Sequence, residues 1–126
     1  MERVIMSMFG SLSRIISASK NSADGILVLI KEPAARQEII FGVLALVVLI
    51  LIGSELFHLV IFTILLLIIL AVETLNTAIE CVVDRVSPEI SDFGKKTKDL
   101  GSTAVAFALA AAGIYWLYAM LITLNL

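Results

Sequence analysis

Four polar residues interrupt a stretch that should otherwise lie in lipid. Residues 59–72 are apolar apart from Thr63, and then come Glu73, Asn76, Glu80 and Asp84, at spacings of three, four and four. At 100° per residue these fall within roughly 80° of one another on a helix, which makes one polar stripe. A carboxylate costs about 2.5–3.5 kcal/mol or more at the centre of a membrane helix, so acids here imply partners or a function. A hydrocarbon core of roughly 30 Å, entered at residue 59, is crossed by about residue 78. Glu73 then sits just inside the boundary, Asn76 close to it, Glu80 among headgroups and Asp84 in water.

That gradient suggests a chemistry. A carboxylate part-way into hydrocarbon is poorly solvated as an anion, which suits it to take a proton from an alcohol. Two carboxylates together with phosphate oxygens are the usual way to hold Mg²⁺, with water completing the octahedron. Glu80, and Glu32 at the same boundary on a neighbouring segment, supply such carboxylates, and Lys98 at that level can neutralise phosphate charge. The order of base, metal ligands and cation fits transfer between a membrane-embedded hydroxyl and a water-soluble phosphate donor. For Asp84, Glu89 and Asp92, edge ion pairs and solvation are the expected roles.

The elements that must position these groups follow from composition. The 126 residues are 60% hydrophobic with a mean hydropathy of +1.08, well outside the soluble range. Apolar stretches at 39–52, 59–72 (continuing through the stripe) and 102–124 can each reach the roughly 20 residues needed to span, the first with Glu38 and Glu55 at its membrane edges. The expectation is a single all-α membrane domain over 1–126, with transmembrane helices at about 34–54, 58–86 and 92–124. Residues 8–30 alternate apolar and charged positions as an amphipathic interfacial helix would, with breaks at Gly25 and Pro33. No leader segment is expected to be removed, because the first long apolar run begins far from Met1.

All nine basic residues precede the first span (Arg3, Arg14, Lys20, Lys31, Arg36) or lie between the second and third (Arg85, Lys95, Lys96, Lys98). The positive-inside rule then makes the N-terminus and the 85–98 loop cytoplasmic and faces the C-terminus outward. The net charge of −2 gives no footing for nucleic acid, and the lone Cys81 excludes an internal disulfide and reads as a small packing residue. His58, in the outer turn, reads as a polar edge residue. Tyr115, Trp116 and Tyr118 read as an interfacial aromatic belt, with a ligand role for Trp116 as the alternative. Asp92-Phe93-Gly94 imitates a protein-kinase tripeptide by chance, and no G-x-x-x-x-G-K-[ST] phosphate loop is present. The small residues of the third span favour close helix association, and neighbouring subunits could enclose the stripe better than three helices alone.

Three segments carry a resemblance to a family: EPAARQE (32–38), VETLNTAIECVVDR (72–85) and KDLGS (98–102). The chain resembles the bacterial integral-membrane diacylglycerol kinases from about Arg14 to Trp116. The resemblance implies Mg²⁺-dependent transfer of phosphate from ATP to the diacylglycerol hydroxyl, giving phosphatidic acid, by a homotrimer with active sites between protomers. It implies that Glu73 is the general base and that Asn76 holds the catalytic geometry. Glu32 and Glu80 carry Mg²⁺ and the ATP phosphates, and Glu89, Lys98 and Asp99 contact the nucleotide. Arg14 binds nucleotide or lipid, while Ala18, Arg36, Gln37, Glu38 and Ser102 line the lipid and headgroup region, with Trp116 at its outer end. The N-terminal helix departs from the family: Asn21, at the nucleotide side, and Ala23 stand where it has aromatics, and one residue is missing before Glu32.

Three other readings compete, the weakest being a noncatalytic assembly or regulatory subunit, for which the stripe would be needlessly elaborate. Undecaprenol kinase is the neighbouring activity, although the RQE cluster after Glu32 looks more like the diacylglycerol branch. A small ion-coupled transporter would need acids near the bilayer midplane and a route open to both sides, whereas these acids lie towards one face.

Overall fold

The structure, a computed structural model, describes residues 2–126, with the side chains of residues 14, 15 and 17–126. Four helices follow in order: α1 (Glu2–Leu29), α2 (Pro33–Leu51), α3 (Leu56–Val86) and α4 (Asp92–Leu124). The chain divides into two units, Met1–Pro33 and Ala34–Leu126. The first is essentially α1, which runs through Gly25 without the expected break. Ile15, Ile26 and Leu27 are exposed on it, as are Arg14 and Lys20.

The second unit is the helical bundle. Pro33 opens α2, where its missing N–H is no loss. Gly53 provides the turn into α3 with φ of +79°, a conformation that a side chain would strain. Pro88 stops α3 just beyond Val86. Ser91 then starts α4, its hydroxyl accepting from the Gly94 N–H at 3.0 Å. Helices α2, α3 and α4 are each long and apolar enough to cross a membrane. At ~1.5 Å per residue they measure roughly 28, 46 and 50 Å, so the last two outlast a bilayer core of about 30 Å. Large apolar side chains such as Phe41, Leu67, Phe107 and Ile114 cover the outside, as a lipid solvent allows. The chain is a multi-pass membrane protein.

Most inward positions lie seven residues apart: Ala35, Gly42 and Leu49 on α2; Phe62, Ile69, Asn76 and Val83 on α3; and Gly94, Gly101, Val105, Ala112 and Ala119 on α4, with a step of four from Gly101 to Val105. His58 and Glu73 are buried one turn off the α3 series, four residues before Phe62 and four after Ile69. A seven-residue seam is the signature of helices that wrap one another in a left-handed sense. The core is Leu49, Phe62, Ile69, Ala112 and Ala119, and small residues on α4 let its backbone come close to α3. Asn76 stands on the same seam as Phe62 and Ile69.

Three expectations change here. His58 is not an edge residue: only 7% exposed, it shares a hydrogen bond at 3.0 Å with the Tyr115 hydroxyl. Tyr115 and Trp116 are half-buried and turned inward, Trp116 donating its indole N–H to the Ala45 carbonyl at 2.9 Å, so only Tyr118 keeps a belt-like exposure. Cys81 is exposed rather than packed, because it falls on the side of α3 opposite the seam.

Candidate active site

The stripe on α3 divides by burial. Glu73 is 4% exposed and Asn76 8%, Glu80 is half-buried, and Asp84 is open to solvent. Glu73 and Asn76 therefore face the interior of the bundle rather than lipid tails. A single chain already encloses both, which removes the argument that neighbours are needed to cover them.

Around these residues the second unit gathers other charged groups. Glu38 of α2, half-buried, lies close enough to Glu73 for the two carboxyls to interact electrostatically. One turn along α3, the Asn76 amide donates to Glu80 Oε1 at 3.3 Å. The amide is assigned with its nitrogen towards Glu80 because the reverse would set two oxygens face to face. Lys98 of α4 forms an ion pair with Asp84 at 2.5 Å, and its ammonium also interacts with Glu80. Carboxyl, amide, carboxyl and ammonium thus follow one another along the α3–α4 interface.

Two oxygens in this region are buried and have no hydrogen-bond partner: Glu38 Oε2 and Asn76 Oδ1. A buried acceptor without a donor costs about 1–3 kcal/mol, and such atoms in a native fold call for an explanation such as a bound group or a catalytic role.

The remaining site residues are placed as follows. Arg14, Ala18 and Asn21 are exposed on α1, and Glu32 is half-buried in the turn after it; these four belong to the first unit. Arg36 and Gln37 are exposed on α2, Glu89 is exposed in the α3–α4 loop, and Ser102 is exposed on α4. Asp99 is exposed and paired with Lys95 at 3.3 Å. Trp116 stands apart, about 22 Å along α4 from Gly101 at ~1.5 Å per residue, with its indole N–H committed to Ala45.

Among the described residues no three His, Cys, Asp or Glu side chains gather as a metal cage. Glu80, a hard oxygen donor held by Asn76 and half-open to water, suits the looser Mg²⁺ arrangement of one or two carboxylates completed by phosphate and water. Gly101 went unnoticed in the sequence except as the start of the third span. Its signal was its place on the seam of α4, seven residues after Gly94 and four before Val105.

Comparison with known proteins identifies a family. Residues 20–120 match the model of the prokaryotic diacylglycerol kinase family. A diacylglycerol kinase of a Sinorhizobium species is 42% identical over 110 residues, covering 87% of this chain and 80% of the relative. The diacylglycerol kinases of Escherichia coli K12 and Haemophilus influenzae are 36% and 31% identical, covering 82% and 83% of this chain and 86% and 90% of the relatives. The buried stripe, the three spans and this breadth of similarity lead to one conclusion: the chain belongs to the prokaryotic diacylglycerol kinase family.

Proposed function

We propose that the protein transfers the γ-phosphate of ATP to the free hydroxyl of diacylglycerol, giving phosphatidic acid and ADP at the cytoplasmic face of the bacterial inner membrane. The observation that carries this reading is the placement of Glu73, buried on the inner face of α3 one turn from the Asn76–Glu80 pair.

In this reading the Glu73 carboxylate takes the hydroxyl proton as the lipid oxygen attacks the γ-phosphorus. The bond from that phosphorus to the β–γ bridging oxygen breaks, and ADP leaves. A base within hydrogen-bond reach of the attacking hydroxyl contributes on the order of 10²–10⁴-fold. Glu38, beside Glu73, receives the glycerol headgroup, with Arg36, Gln37, Ala18 and Ser102 along the lipid path. Asn76 keeps the Glu80 carboxylate turned towards the phosphates. Glu80 and Glu32 would hold Mg²⁺, whose bound form offsets the charge on the phosphates. Lys98 leaves Asp84 to meet phosphate oxygens, and Asp99, Glu89, Arg14 and Asn21 contact the nucleotide. The distribution of the nine basic residues, read by the positive-inside rule, supports a cytosolic location for this end. A homotrimer that completes each site from a neighbour is part of the proposal, as is the amphipathic lie of α1 at the interface.

The test is a side-by-side assay of the purified chain in micelles with Mg·ATP and either diacylglycerol or undecaprenol. Labelled phosphate in diacylglycerol alone supports the reading. Transfer only to the polyprenol moves the chain to the neighbouring activity, and transfer to neither removes the kinase role.

A further inference from the structure

The α3–α4 interface contains one contact that only glycine permits. A Cβ built on Gly101 would run into Asn76 Oδ1, with the Asn76 Cγ at 3.4 Å behind it. That Cβ direction is one of glycine's two Cα–H directions, so a Gly101 hydrogen points at the amide oxygen. Weak Cα–H···O contacts of this kind recur at closely packed helix interfaces. The oxygen is buried and accepts no conventional hydrogen bond, while the other end of the same amide donates to Glu80. Gly101 itself is buried on the α4 seam. Its missing side chain therefore lets the amide oxygen dock against α4 while the amide nitrogen turns to Glu80.

Two other helical glycines of the bundle, Gly42 and Gly113, differ. A Cβ at Gly42 would press only on the flexible end of Leu66, and one at Gly113 would meet nothing within 4 Å. Helix propensity alone favours alanine at all three positions, so what sets Gly101 apart is the group it faces.

We propose that Gly101 is a positioning residue: its bare Cα seats the Asn76 amide, and through it aims the Glu80 carboxylate. This rests on the lipid-kinase reading for its consequence, though not for its geometry. An added methyl at 101 displaces Asn76 from α4 and breaks or turns the amide that holds Glu80. Losing an outer partner of a ligating carboxylate lowers metal affinity or activity by about 10–100-fold.

The experiment compares Gly101→Ala, Gly42→Ala, Gly113→Ala, Asn76→Ala and the Asn76→Ala/Gly101→Ala pair, all as full chains in micelles. Gly101→Ala is expected to lose about tenfold or more in kcat and to need more Mg²⁺ for half its maximal rate. KM for diacylglycerol stays near its original value, and Gly42→Ala and Gly113→Ala keep the full rate. The double variant should match Asn76→Ala, because the group that the methyl strikes is gone. If Gly101→Ala fails to fold, that double variant carries the test, since truncating Asn76 vacates the space that the methyl needs. A Gly101→Ala enzyme with normal rate and Mg²⁺ dependence overturns the proposal, as does a double variant slower than Asn76→Ala. The side-chain amide resonance of Asn76, read by ¹⁵N NMR, separates this from the kinase reading. It should move in Gly101→Ala and hold in Gly113→Ala even if the unmodified chain phosphorylates no lipid, and an unmoved resonance sinks the seating of Asn76.

Discussion

The two ends of the helical bundle solve the same problem in opposite ways. At one end Ser54, His58, Tyr115, Trp116 and Thr123 put polar atoms among apolar helices. The Thr123 hydroxyl donates to the Ala119 carbonyl, so Ser54 donates to Thr123 at 2.9 Å. His58 shares its bond with Tyr115, its ring lies edge-on to Phe57 and Tyr118, and Trp116 is tied to Ala45. Among the described residues no buried side-chain atom at this end lacks a partner. At the other end Glu38, Glu73, Asn76, Glu80 and Lys98 bring formal charges together, and two buried oxygens there accept nothing. A polar group kept for packing is satisfied by the fold itself. A polar group kept for chemistry leaves capacity open for something that comes and goes. The difference separates a clasp from a site without reference to any relative.

Substitutions can break that comparison. The largest effect is expected for Glu73→Gln, which should lower turnover by about 10²–10⁴-fold while nucleotide binding by calorimetry holds. A loss of ATP affinity equal to the loss of rate would take the base role away from Glu73. Next, Glu80→Gln should raise the Mg²⁺ needed for half-maximal rate by about 10–100-fold, and an unchanged metal titration would strike Glu80 from the ligands.

At the opposite end the comparison predicts stability effects without kinetic ones. Tyr115→Phe leaves a buried imidazole nitrogen without its partner and should cost about 1 kcal/mol in micelle unfolding, with kcat unaltered. A fall in kcat at constant stability would show that this end belongs to the site. The smallest effect is expected for Lys95→Ala, which removes an exposed i, i+4 pair with Asp99. Such pairs are screened by water, so the unfolding midpoint should stay within measurement error. A clear drop would mean that the first turns of α4 depend on their charges.

How much of this was legible beforehand follows the same division. The stripe was readable because helical periodicity needs only the residues on α3: spacings of three and four put Glu73, Asn76, Glu80 and Asp84 on one side whatever surrounds them. An edge ion pair was expected for Asp84 and is present, but its partner is Lys98, which was expected to meet phosphate. The end that holds His58 was misjudged. His58 and Tyr115 are far apart in sequence, and nothing in either segment says that they meet. Cys81 was misjudged for the same reason, because whether a side of α3 is inward depends on the roll of the helix against α4.

The sequence by itself determined that the chain crosses a membrane three times and carries a polar stripe on its second span. Hydropathy, proline and glycine placement, and helical period act over neighbouring residues and need no partner. Only the tertiary structure decided which way that stripe faces and what it touches. The roll and register of α3 against α4 turn Glu73 and Asn76 into the bundle, and those are set by small residues on another helix.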